Sequence, residues 1–190
     1  MRWTRTAQRL AVVDGYRFSA GVRHRFTAAH ADLDAAAVTL VEDAARQWFR
    51  LAARDPKAEL WMPSVIVGDL WKAMILDGRG YAPLEPLIHR TASATGNRAA
   101  RLATTFRLAQ EDEGCHPEVL PLLFRVDRTL GIEGGTRYLA DCGGRGQCHE
   151  LPGAICLRHV SGTENPKRWR PDRHANIPPP GTPDAGGFGG

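Results

Sequence analysis

Lysine is scarce in this chain: of 25 basic residues, 22 are arginine and only Lys57, Lys72 and Lys167 are lysine. Arginine forks suit phosphate and carboxylate, though GC-rich coding produces the same skew. Aromatics are sparse as well, at 7%, so aliphatic and alanine packing has to build the core. No run approaches the roughly 20 apolar residues of a membrane span. The opening "MRWTRTAQRLAVVDGYRF" is basic, but its apolar run LAVV breaks at Asp14, which is too short for a secretory signal. The expected location is therefore cytoplasmic, where cysteines serve as free thiols or metal ligands more often than as disulfides. Also missing are G-x-S-x-G, a phosphate loop closed by Lys-Ser/Thr, and H-E-x-x-H. Without them the usual short signatures of hydrolase, nucleotide and metalloprotease chemistry are gone.

What is present is a helical pattern. With 190 residues, 43% of them apolar, the chain suits one core with an appendage. A short helix is expected over about 18–30. From Asp34 to Arg54, Val38, Val41, Ala45, Trp48 and Ala52 recur at helical spacing. Glu42 and Arg46 fall on the wet side as an i,i+4 pair. "MPSVIVGDLWKAMILDG" starts a helix at Pro63 or Ser64, with Val67, Leu70, Trp71, Met74 and Ile75 as its apolar stripe and Gly78 as its stop. A proline-punctuated turn of helix follows over Tyr81–His89. "NRAARLATTFRLAQEDEG" makes a third long helix facing inward with Ala99, Leu102, Phe106 and Ala109. "PEVLPLLFRVDRTLG" makes a fourth with Val119, Leu122, Val126 and Leu130 inward. The expected fold is all-α, a bundle of four to five helices with Trp48, Trp71, Phe106, Phe124 and Leu130 in its core.

Composition divides the chain further. Residues 1–15 hold basic side chains and read as a flexible arm ahead of a helical domain over 16–133. Beyond Gly134, seven of the 13 prolines and more than half of the 20 glycines accumulate. Residues 134–160 then form a Cys/His segment, and 161–190 a Pro/Gly-rich tail that cannot offset its ordering entropy by burial.

Within "DCGGRGQCHELPGAICLRH", Cys142, Cys148, Cys156 and His159 follow C-x5-C-x7-C-x2-H. Thiolates and imidazole are the donors that close a tetrahedral Zn²⁺ site, and metal energy could replace a missing core. The first pair is not C-x2-C, so a metal site, free thiols and a disulfide all remain open. His149 and Cys115-His116 are spare ligands. The tail places Lys167, Arg168, Arg170 and Arg173 around Trp169. Such a cluster can contact phosphates while the ring stacks on a base, or it is a solvated linker. Glu111, Asp112 and Glu113 sit at a helix C-terminus, where the dipole disfavours negative charge.

"QWFRLAARD", "LWMPSVIVGDLWKAMILDGRGY", "LIHR", "FRLAQEDEG", "LPLLFRVDRTLGI" and "RYLADCG" occur in that order. In this the chain resembles the uncharacterised glycine-rich domain-containing proteins of actinobacteria over roughly residues 16–145. That family pairs a Met-Pro-Ser helix carrying Trp-His with a downstream His-His, and ends in a Gly/Cys-rich tail. Here those positions read Trp71-Lys72 and His89-Arg90. The resemblance implies a helical fold and, since Lys72 and Arg90 do not ligate Zn²⁺ as imidazole does, no family-type metal centre within the helical domain.

The leading expectation is a non-enzymatic adaptor that engages a protein or nucleic-acid partner. Its contact surface would be Arg23, Arg25, Lys72, His89, Arg90 and the stretch Lys167, Arg168, Trp169, Arg170 and Arg173. A small zinc protein built on Cys142, Cys148, Cys156 and His159 is the alternative. An enzyme using His89 with Lys72 and the Glu111–Glu113 cluster would need all of them in one pocket.

Overall fold

Caps set most of the helix boundaries. The computed structural model describes residues 2–78, 81–88, 97–142 and 153–160. In it, Ser19 Oγ accepts from Val22 N at 3.1 Å to open α2 (Ala20–Ala29). Asp34 Oδ1 accepts from Ala37 N at 2.7 Å to open α3 (Ala35–Arg54). Ser64 starts α4 (Val65–Asp77), and Asn97 starts α6 (Arg98–Glu113). These short polar side chains satisfy amide donors that the first helical turn leaves unpaired. Gly114, at φ 65, ends α6 in the left-handed conformation that glycine adopts without strain.

Residues 2–15 are not a loose arm. Arg2–Gly15 form α1, which packs on α3. Val13 is fully buried, Arg9 Nε donates to Ala53 O at 2.7 Å, and Asp14 pairs with Arg50. The two polar anchors lie 44 and 36 residues from their partners, which is why local pattern did not reveal the helix.

At the centre, α3 touches α1, α4, α6, α7 (Leu122–Thr129) and the single turn α5 (Glu85–Ile88). Its alanines at 44, 45, 52 and 53 are buried and let neighbours approach closely, while Trp48 and Phe49 fill the space between them. Trp48 lies 6.1 Å from Trp71, and Phe106 meets Phe124 edge-on at 5.3 Å. Trp71 and Leu130 only border the core.

Several inward positions were misplaced. Ala99, Ile75 and Val119 are exposed. Glu42 does not pair with Arg46 on a wet face. It is 5% exposed and accepts a two-pronged bond from Arg23 of α2 at 2.6 and 2.8 Å, whereas Arg46 turns to Asp43. The fourth helix begins only at Leu122, because the Gln110 amide donates to Pro117 O and Val119 O and holds 115–120 as a turn.

Near the start of α4 sits a buried clip. Asp127 of α7, 3% exposed, accepts from Ser64 Oγ at 2.5 Å and from Val65 N at 2.8 Å. Gly135 folds back on it so closely that a Cβ there would stand 2.8 Å from Asp127 Cβ.

The boundary drawn at 133/134 also fails. Strands β1 (Arg137–Leu139) and β2 (Ala154–Cys156) pair in parallel, and α8 (Leu157–Val160) follows directly. Tyr138 is buried against Phe124 at 5.1 Å and donates its hydroxyl to Pro63 O; Leu157 is fully buried. A few large side chains therefore join this glycine-rich stretch to the core. Residues 161–190 lie outside the described part. Among the described residues, no helix is long and apolar enough to cross a membrane.

Candidate metal centre

Strand pairing brings the cysteines together. The parallel register sets Leu139 opposite Cys156, and Cys142 lies three residues beyond Leu139. His159 stands three residues past Cys156 on α8, so one helical turn returns its imidazole towards the strand end. The result is a cluster in which Cys142 Sγ, Cys156 Sγ and a His159 ring nitrogen all lie within 4.8 Å of one another. Cys142 Sγ and His159 Nε2 are 3.8 Å apart. A tetrahedral zinc at ordinary bond lengths separates its sulfur and nitrogen ligands by about 3.5 Å, so the donors stand close to the spacing an ion requires. These three residues could hold a metal ion.

Their surroundings are graded. Cys142 and Cys156 are buried at 3% and 5% exposure, and His159 is exposed. Burial pushes the Cys156 thiol up; backbone N–H groups at His159 and Cys142 oppose this, and the adjoining Cys142 sulfur adds to it. An ion in this place would take the position of those protons. Arg158 and Asp141, the neighbours of His159 and Cys142, form an ion pair that ties α8 to the end of β1. Both also line a groove of about 530 Å³ against Phe106 and Arg107 of α6.

Three of the four ligands expected from spacing are thus in one place; Cys148, like His149, lies outside the described residues. Cys115 does not join them and faces Val119 O at 3.6 Å. Among the expected contact residues, Arg23 is engaged by Glu42. Lys72 pairs with Asp69 at 2.8 Å, where His30 also approaches at 3.4 Å. Arg25 is exposed on α2. His89, Arg90, Lys167, Arg168, Trp169, Arg170 and Arg173 fall outside the described residues.

The acidic cluster has structural partners. Glu111 pairs with Arg107, and Asp112 with Arg50 and Arg54. Glu113 accepts from Leu122 N at 2.6 Å, Arg125 at 2.7 Å and Gln47 Nε2 at 3.1 Å, so it caps α7 across an interface. Burial alone would raise the Glu113 carboxyl, but those three donors outweigh it and hold it below the ordinary glutamate value. A depressed folded-state value means the stabilisation is complete above the ordinary value and is lost as pH falls through the lower one. Glu113→Gln should therefore flatten the acid side of a stability-against-pH curve measured by urea unfolding. An unchanged acid limb would refute the cap. Sequence reasoning missed the other half of this interface, buried Gln47, whose Oε1 accepts from Leu123 N at 2.8 Å. A polar residue within an otherwise apolar helix face was its only signal.

A family model described as UCP032817-like matches residues 8–159. The chain belongs to that family. The UCP032817-like span begins inside α1 and runs through β1, β2 and α8 to His159, so it contains the helical body and the three clustered ligands together. It reaches further at both ends than the sequence motifs alone suggested. No curated protein and no solved structure matches the chain.

Proposed function

We propose that this is a small cytoplasmic binding protein whose β1–β2–α8 unit is held together by a structural Zn²⁺. The observation that carries the proposal is the convergence of Cys142, Cys156 and His159 within 4.8 Å. Two sulfurs and an imidazole favour zinc over magnesium or calcium, which seek oxygen. Cys148, between the two strands in sequence, is the natural fourth donor. Four protein ligands leave no open position for water or substrate, so the ion would act as a staple rather than a Lewis acid.

The need for a staple supports the same reading. A parallel pair of three-residue strands is too short to hold itself together. The likeness to glycine-rich domain-containing proteins of actinobacteria fits as well, since their Gly/Cys-rich ends would supply the same donors. Binding of a protein or nucleic-acid partner through the arginine-rich surface belongs to this proposal as the protein's outward role.

Elemental analysis of protein purified without added metal tests the zinc reading. Zinc near one per chain, lost in Cys148→Ser or Cys156→Ser, is the expected result. Less than about 0.2 metal per chain would end it, since a structural site of this type binds tightly at neutral pH.

A further inference from the structure

We propose that Cys142 and Cys156 exchange the zinc for a disulfide between themselves when a hydroperoxide is present. This rests on the zinc reading of the same centre and gives that centre a regulated, two-state behaviour. Two sulfurs within 4.8 Å of each other, one on the last residue of β2 and one three residues beyond β1, must close to about 2 Å to bond, and the exchange requires side-chain rotation to supply that closure.

The sulfurs are buried, but their surroundings open towards solvent on one side. His159 is exposed, and the groove of about 530 Å³ reaches Asp141 and Arg158, the residues adjoining Cys142 and His159. A bound ion holds both sulfurs as thiolates, the form that attacks peroxide. One sulfur attacks the peroxide oxygen: an S–O bond forms, the O–O bond breaks, and the departing oxygen leaves as hydroxide or alkoxide, which takes a proton from solvent to become water or alcohol. The second sulfur then attacks the sulfenic acid; the S–S bond forms and hydroxide leaves to take up a proton. The two cysteines lose two electrons in all, and the peroxide gains them. With both sulfurs joined, His159 and Cys148 are the only donors left of the four that close a tetrahedral site, and zinc departs hydrated.

The covalent bond then links the end of β2 to the segment after β1, as the ion did. Oxidation should therefore release metal without unfolding the protein, which separates a switch from simple damage.

The full chain carrying Cys115→Ser, reduced and zinc-loaded, is treated with hydrogen peroxide. Zinc is followed with a chromophoric chelator, cysteines by alkylation and peptide mass, and fold by circular dichroism. The expected result is about one zinc released per peroxide consumed, a Cys142–Cys156 linked peptide, an unchanged helical spectrum, and recovery with dithiothreitol and zinc. Zinc retained while both cysteines are consumed overturns the exchange and leaves the zinc reading intact. So does a linked pair that includes Cys148, or oxidation to sulfinic acids without a link. Absence of zinc before any peroxide is added overturns the zinc reading, and the exchange with it.

Discussion

Alanine in place of Asp127 is expected to lower the unfolding free energy by about 3–4 kcal/mol. Its carboxylate is buried where α4 begins, bonded to Ser64 Oγ, to Val65 N and, at 3.4 Å, to Ile66 N. Truncation leaves a hydroxyl and two amides without an acceptor, and each orphaned buried donor costs about 1–3 kcal/mol. It also removes a negative charge from the positive end of the helix dipole. Asp127→Asn keeps the shape and one acceptor and should cost less than alanine. Urea unfolding followed by circular dichroism decides this; an alanine variant within about 1 kcal/mol of the parent would show that the clip does not hold α4 to α7.

Stripping zinc should have an effect of similar size in a different place. With free zinc about 1,000-fold above its dissociation constant, an ion that binds only the folded state adds about 4 kcal/mol. A chelator should remove that amount and lower the melting temperature. The loss should be local, because the pairs that join α1, α3, α6 and α7 do not pass through the cluster. Amide exchange with and without chelator is expected to quicken in β1, β2 and α8 first, while Trp48 and Phe49 in α3 stay protected. Identical exchange in both conditions would mean that no ion fastens this unit.

Helices whose ends carry their own signals were readable from sequence. Asp34, Ser64, Asn97 and Gly114 each act on amides or carbonyls a few residues away, so α3, α4 and α6 end near where a local reading places them. What escaped depends on distant partners. The first helix is fixed by Ala53 and Arg50, and α7 starts late because Gln110, Glu113 and Gln47 reach across to its first turn. Composition misled most strongly after Gly134. Glycine and proline dominate the average there, while the fold rests on Tyr138, Cys142, Cys156 and Leu157, all buried. Cys142, Cys156 and His159 were legible as candidate metal donors because such chemistry depends on residue type. That Cys142 and Cys156 meet through strand pairing, rather than through a C-x2-C turn, could be seen only in the fold.

The parallel course of β1 and β2 also bears on how the protein is made. Domains generally fold from the N-terminal end as synthesis proceeds, so α3 to α7 can assemble while the last donor is still inside the ribosome. Until then, the seat that Tyr138 occupies against Phe124 and the Pro63 carbonyl stands open. If zinc holds the β1–β2–α8 unit as proposed, that seat would stay uncovered on an otherwise finished body in a zinc-starved cell. Such chains would be lost by sticking to one another rather than by unravelling.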